Sequence, residues 1–319
     1  MYLLISDSLD PHINLATEEY LLKDSSDNII FLYRNNACVV VGKHQNAMGE
    51  INYRFIHENN IPVIRRISGG GTVFHDEGNI NFTFLQNGEE GNLVNFRAFI
   101  TPVAQFLQLL GIPAEIGPRN DILVNGLKVS GNAEHIFRKR TLHHGTLLYS
   151  SALAHLRNAL HVEAGKYTDR AVKSVRSKVA NIKDNLSVEL DTKQFFQSLA
   201  NYLVNYYKAS PLVLTEEAVA HIQNSANTKY TDWNWNFGYS PNYTFKNSFA
   251  SNNLSLNIEL EIEKGIIKTS HIFGNIENVD LTELNNSMPG IEHSFSSLSR
   301  NKHIKLITSE NPEIIWSFF

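Results

Sequence analysis

The densest concentration of chemistry in the chain is Arg65-Arg66-Ile67-Ser68-Gly69-Gly70-Gly71-Thr72-Val73-Phe74-His75-Asp76, a basic strand end that runs through three glycines into a second strand. Glycines let a backbone approach a ligand closely and turn amide N–H groups toward an anion. Arg66 could add charge-assisted hydrogen bonds to a carboxylate or phosphate, which suits an acyl phosphate. A bare triple glycine reads first as a tight connection, but the arginines and the His-Asp pair exceed what a hairpin turn requires. The segment precedes no helix and lacks a Gly-Lys-Ser/Thr ending, so it is neither a Walker A loop nor a dinucleotide fingerprint.

A second group is Arg119-Asn120-Asp121 followed by Gly126-Leu127-Lys128-Val129-Ser130-Gly131-Asn132. On a strand Lys128 and Ser130 share a face. A lysine reaching a cleft from there would stabilise the charge that develops on a carboxylate and an α-phosphate during adenylation, without any nucleophilic residue. Spacing alone also fits, and favours, an exposed lysine. Asp121 suits Mg²⁺ held jointly with nucleotide phosphates, or a strand-start aspartate. His143 and His144 fall on opposite faces of a strand and cannot clasp one metal, so a zinc site is disfavoured and one of them is left to line a pocket. The basic, hydroxyl-bearing stretch 174–181 could close over a nucleotide or run as a solvated loop.

Several elements must position these residues. Ile29 to Tyr33, Asn35-Asn36 and Cys38 to Val41 read as a hairpin. Asp121 to Val124, the turn pair Asn125-Gly126 and Leu127 to Asn132 read as another, with Thr141 to Ser150 as the next strand of that sheet. Apolar spacing predicts helices over 14–23 and 95–110, and capping residues predict two more, from Ser151 to Leu160 and from Asp191 to about Tyr207. The expectation is an α+β domain with a mixed or antiparallel sheet and flanking helices. Near Trp233 the composition turns Asn-rich and aromatic, with Gly and Pro punctuation, so the domains are expected at 1–242 and 243–319. The second is a small α/β module with strands at Leu254 to Glu263 and Gly265 to Phe273 and a short helix after Val279.

The formal net charge of −4 and the scatter of basic residues argue against a nucleic-acid partner. One cysteine, Cys38, and a start without a secretory pattern point to the cytoplasm, and no apolar run suggests a membrane span.

In order along the chain, these segments resemble those of the lipoate–protein ligases. Ser6-Asp7-Ser8, Asn14-Leu15-Ala16 and Val41-Gly42-Lys43-His44-Gln45-Asn46 belong to the same pattern, which spans most of the first 240 residues. Trp235 to Pro241 and Gly265 to Gly274 resemble the accessory domain of the two-domain members, and there a hinge near Phe237 to Phe245 is implied. The resemblance implies the fold shared with biotin–protein ligases. It also implies condensation of lipoate with ATP to lipoyl-AMP, with Mg²⁺, and then lipoyl transfer to a lysine of apo lipoyl-domain proteins. Those carriers would be the E2 subunits of 2-oxoacid dehydrogenases and the glycine-cleavage H protein. By carry-over, Lys128 contacts the lipoyl carbonyl and the α-phosphate. Arg66, Gly71, Thr72, Val73 and Phe74 hold the nucleotide, Gly70, His75 and His144 line the lipoate pocket, and Asp121 is the metal-side or phosphate-side group. Thr72, Asn132 and Tyr239 depart from the residues common there, which leaves pocket dimensions open. Two rivals are an ATP-independent octanoyl or lipoyl transferase, which uses a cysteine that this chain lacks near Lys128, and a non-catalytic lipoate-binding module.

Overall fold

Five consecutive apolar residues, Ile29–Tyr33, form a strand (β2) buried along its whole length, which demands neighbours at both edges and cover on both faces. The computed structural model, which describes residues 1–88, 93–251, 254–276 and 279–319, supplies them. The parallel strand β1 (Tyr2–Ile5) lies at one edge of β2 and the antiparallel β6 (Asn79–Asn87) at the other. Beyond β6 come β11 (Arg140–Leu148) and β10 (Asn132–Phe137), and beyond β1 the short strand Ser210–Pro211, making a mixed six-stranded sheet.

Register assigns the two faces different tasks. Ile30, Leu32, Phe82, Phe84 and Leu147 join one apolar core with residues of the helices Phe96–Leu109 and Thr192–Tyr207. Both helices start where their caps dictate: Asn95 accepts from Ala98 N at 3.1 Å, and Asp191 and Gln194 form a reciprocal capping box. The opposite face carries Phe31, Tyr33, Thr83 and His144 in adjacent register, and Glu18 of the Pro11–Lys23 helix bonds three of them. That face is polar as well as buried, a combination that needs a hydrogen-bond partner for each group.

Two smaller sheets adjoin. In one, β3 (Cys38–Val41) lies between the parallel β4 (Val63–Arg65) and the antiparallel β5 (Val73–His75). Residues 29–41 are therefore no hairpin, since β2 and β3 belong to different sheets. Asn35 and Asn36 lack the positive φ that a two-residue turn requires, and the Asn35 side chain is buried. In the other sheet, β7 (Ala114–Ile116), β8 (Ile122–Val124) and β9 (Leu127–Ser130) are antiparallel, and Asn125 and Gly126 turn at φ 51° and 76° as the sequence predicts. The strand expected next in that sheet is β11, which pairs instead with β6 and β10, because the chain leaves one sheet for the other at Gly131 between β9 and β10.

The described chain divides into two compact units. One comprises Met1–Lys43, Pro62–Arg157 and Ser174–Thr231 and holds everything above. The other comprises His44–Ile61, Asn158–Lys173 and Asp232–Phe319. Its antiparallel sheet joins Tyr167–Asp169 to Tyr243–Ser251, Leu254–Glu263 and Ile266–Asn275, followed by the Leu281–Ser287 helix capped by Asp280. This pairing gathers an internal segment with the C-terminal strands, a relation that a change of composition near Trp233 cannot reveal. Within this unit Asn46 and Lys173 hold the Asp169 carboxylate at 2.9 and 2.7 Å. Among the described residues no helix is long and apolar enough to cross a membrane.

Gly78 closes the turn between β5 and β6, and its carbonyl accepts from Tyr149 N and Ser150 N at 3.1 and 3.0 Å. A Cβ there would stand 2.2 Å from the Ser150 carbonyl oxygen, which is backbone and cannot swing aside. Gly78→Ala is expected to destabilise the fold by about 3 kcal/mol, read as a lowered urea midpoint.

Candidate active site

The glycine loop is organised from within by Arg66, which is buried (5% exposed). Its Nη2 donates to Gly69 O and Gly71 O at 2.6 and 2.8 Å, its Nη1 to Val40 O at 3.1 Å, and its Nε to Ser68 Oγ at 3.0 Å. Burial lowers the guanidinium to about 10, against the opposing pull of Glu18 and Tyr33, so it stays charged at neutral pH. Gly70 takes φ 90°, and a Cβ on it would meet Arg66 Nη2 at 3.0 Å. The geometry makes Arg66 the residue that shapes the loop, a role its charge alone did not announce. The Thr72 amide is likewise engaged, with Ser174 Oγ at 2.8 Å, while Val73 and Phe74 open β5.

That contact brings in the basic 174–181 stretch, which is no free loop. Lys178 O accepts from Lys128 N at 2.9 Å and Ala180 N donates to Lys128 O at 3.1 Å, so the stretch runs beside β9. The Lys128 side chain is half-buried and folds over Gly131, where a Cβ would stand 3.2 Å from Nζ. Among the described residues its ammonium has no hydrogen-bond or ion-pair partner. Burial lowers its pKa, Asp121 acts to raise it, and Arg119 lowers it further. Asp121 is buried, and its Oδ1 has no partner among the described residues. An uncommitted ammonium on β9 and an orphaned carboxylate oxygen on the residue just before β8 belong to neighbouring parts of one sheet. This arrangement can receive an anion together with a cation.

The two histidines of β11 divide as expected. His143 is fully buried among Phe82, Phe84, Phe96 and Phe99, with Nδ1 2.9 Å from Glu134 Oε1; burial lowers its pKa and Glu134 opposes. His144 faces the other way, with Nδ1 3.0 Å from Glu18 Oε2 and Nε2 2.7 Å from Ser68 Oγ. Burial acts to raise the Glu18 carboxyl, but His144 and the hydroxyls of Thr83 and Tyr33 hold it below its usual range. Glu18 and the hydroxyl of Ser68 are the groups that sequence reasoning missed. The available signal was a carboxylate in the middle of a helix whose neighbours Leu15, Ala16, Leu21 and Leu22 are apolar. His75 is buried, with Nδ1 3.0 Å from Asn35 Nδ2 and Nε2 without a partner among the described residues. Burial pushes it down to about 3, with Arg66 and His144 adding to the shift. No cluster of three or more His, Cys, Asp or Glu suited to a metal occurs among the described residues.

Residues 10–204 match the sequence model of the lipoyl protein ligase A/B catalytic domain. The chain belongs to this family. It is 38% identical over 296 residues to the lipoate–protein ligase LplJ of Bacillus subtilis, covering 91% of this chain and 89% of that protein. Among solved structures, the bipartite lipoate protein ligase of Thermoplasma acidophilum, studied with its E2 lipoyl domain, shares the fold at TM-score 0.63 and 24% identity, over 75% of this chain and 96% of its own. A lipoate–protein ligase A bound with ATP gives TM-score 0.63 at 24% identity, over 75% of this chain and 98% of its own.

His75 predicts how this family member responds to acid. Its unfolded-state value is 6.5 and its folded value about 3, so between them the unfolded chain binds the extra proton. The stability that neutral His75 confers is full above pH 6.5 and declines as pH falls toward 3. Its share of the loss between pH 7 and pH 5 is about 2 kcal/mol. Urea unfolding at both pH values should show a smaller loss in His75→Gln than in the parent.

Proposed function

We propose that this chain condenses lipoate with ATP to lipoyl-AMP and pyrophosphate, then transfers the lipoyl group to a lysine of a lipoyl-domain protein. The observation that carries the reading is the half-buried, uncommitted Lys128 ammonium, whose pKa Asp121 acts to raise, together with the orphaned Asp121 oxygen just before the neighbouring strand. In adenylation a lipoate carboxylate oxygen attacks the α-phosphorus and the bond to pyrophosphate breaks. Negative charge then crowds the acyl and phosphoryl oxygens. A cation held in place before the reaction stabilises that charge without reorganising, and Lys128 is such a cation. In transfer, the carrier amine attacks the acyl carbonyl, AMP leaves with the bonding pair, and the amine gives up a proton.

Gly70, His75 and His144 are assigned to the lipoate side, and the loop that Arg66 shapes, from Gly71 to Phe74, to the nucleotide side. Asp121 fits Mg²⁺, since a buried carboxylate oxygen without a donor suits a hard cation that takes its other ligands from phosphates and water. Bound there, the ion would neutralise phosphate charge. We assign catalysis to residues 1–242 and an accessory role to 243–319. The carriers would be E2 subunits and the H protein, and the compartment the reducing cytoplasm.

Cys38 bears on the rival transferase chemistry. It is the chain's one cysteine, lies in β3 at 0% exposure, and burial pushes its thiol well above the usual range. A thiolate nucleophile is disfavoured there.

Mass spectrometry of an apo lipoyl domain incubated with the protein, lipoate and Mg²⁺ should show a lipoyl gain only when ATP is added. Transfer from an acylated carrier without ATP would favour the transferase instead. Lys128→Ala should lower pyrophosphate release about 10²-fold or more with the urea midpoint preserved. Cys38→Ala should keep most of the activity, and its loss without unfolding would reinstate the thiol.

A further inference from the structure

His75 ends a chain of hydrogen bonds that begins at two backbone carbonyls. Asn14 Nδ2 donates to Ser8 O at 3.0 Å and Arg34 O at 3.1 Å, while Asn14 Oδ1 accepts from Ser6 Oγ at 2.6 Å. Turning that amide over would set its oxygen against two carbonyls, so its orientation is fixed. Asn14 Nδ2 also faces Asn35 Oδ1 at 2.8 Å, which leaves Asn35 Nδ2 to donate to His75 Nδ1 at 3.0 Å. A ring nitrogen that accepts carries no proton, so neutral His75 bears its proton on Nε2. Both asparagines are fully buried, and so is Nε2, which has no partner among the described residues. A buried N–H without an acceptor is disfavoured, and in native folds such a group calls for a water, a ligand or a functional reason.

We propose that Asn14 and Asn35 are positioning residues that lock His75 as an Nε2–H donor, and that this donor meets an oxygen of the acyl substrate. The second half rests on the ligase reading. The acceptor is a carboxylate oxygen before activation and the carbonyl oxygen of the mixed anhydride afterwards. In the transfer step that oxygen gains charge as the amine adds, so a donor already aimed at it favours the transition state over the ground state. Arg66 and His144 are the charged or titratable groups that act on His75, and both resist its protonation. Its cross-strand neighbour is Cys38, whose buried thiol stays neutral. The donor is therefore neutral and leaves the local charge to Arg66.

The test uses the full chain. In Asn35→Asp a carboxylate faces Nδ1 and accepts a hydrogen bond from it, so the neutral ring carries its proton on Nδ1 and presents a lone pair at Nε2. Lowering the pH adds a proton there and restores the donor. Single-turnover lipoyl transfer from preformed lipoyl-AMP, taken as the ratio to the parent at each pH, should fall about 10²-fold at alkaline pH. It should recover as the pH is lowered. His75→Gln, whose amide nitrogen reaches the Nε2 position, should transfer faster than His75→Ala. Long-range ¹⁵N–¹H spectra of histidine-labelled parent protein, assigned by the loss of one ring in His75→Gln, should show protonated Nε2 and unprotonated Nδ1. A proton on Nδ1 in the parent overturns the lock. A pH-independent loss in Asn35→Asp, with His75→Gln as slow as His75→Ala, overturns the donor. A parent that makes no lipoyl-AMP overturns the ligase reading and the acyl acceptor with it, whereas the spectra judge the tautomer independently.

Discussion

A guanidinium taken out of water must find acceptors for its N–H groups or lose its charge, and Arg66 finds them in the backbone of the loop it belongs to. Its bonds to Gly69 O, Gly71 O and Val40 O tie the loop to β3, and its bond to Ser68 Oγ ties the loop's hydroxyl. Much else is determined by that commitment. Gly70 must take φ 90° with no Cβ, because Arg66 Nη2 occupies the space, and Ser68 is held where His144 can reach it. His144 in turn needs Glu18, whose carboxylate is the negative charge opposing the effect of burial on Arg66. Removing one member of such a network strands the others as buried, unpaired polar groups, which costs more than the lost contact itself.

The two faces of the central sheet show how the fold keeps this polar assembly without loosening. Ile30, Leu32, Phe82 and Phe84 make one face an ordinary apolar core, where burying each large side chain contributes roughly 1.5–3 kcal/mol. His143 is admitted there with Glu134 on one ring nitrogen, Asn132 on the other and aromatic rings around it. The facing set of Tyr33, Thr83 and His144 is held by a single carboxylate on the Pro11–Lys23 helix. The same strands therefore carry an apolar core on one side and a buried polar network on the other, because side chains alternate along a strand.

What the sequence disclosed follows the range of the interactions involved. The Asn125-Gly126 hairpin, the capped helices and the glycine loop depend on neighbours within a few residues, and each was legible. Sheet membership was not. Asn35-Asn36 carries a turn composition, yet the chain there changes sheets and Asn35 orients a histidine 40 positions away. Glu18 meets His144 across 126 positions, so nothing near Glu18 announces its partner. Arg66 was read for its charge, and its neighbouring carbonyls, invisible in sequence, set its role. Lys128 was read as an open choice between solvent and cleft, and it is half-buried over Gly131.

The unsatisfied atoms complete the argument about what the site is for. Folding selects against buried polar groups without partners, and the Arg66 and Glu18 networks satisfy theirs, although Asn79, Asn81, Glu134 and Arg140 each keep one buried atom without a partner among the described residues. Asp121 Oδ1 and His75 Nε2 likewise lack partners among the described residues, and the Lys128 ammonium makes no ion pair. Their chemistry differs in a useful way: an acceptor for a cation, a neutral donor for an oxygen, and a positive charge for an anion. In the proposed reading, an acid joined to a nucleotide phosphate offers the oxygen and the anion, and a cation bound with the phosphate would be the third counterpart. Under that reading, stability forgone at these atoms in the free protein would be recovered on binding the ligand. A substitution that satisfied them internally would therefore strengthen the fold and weaken its claim on the substrate.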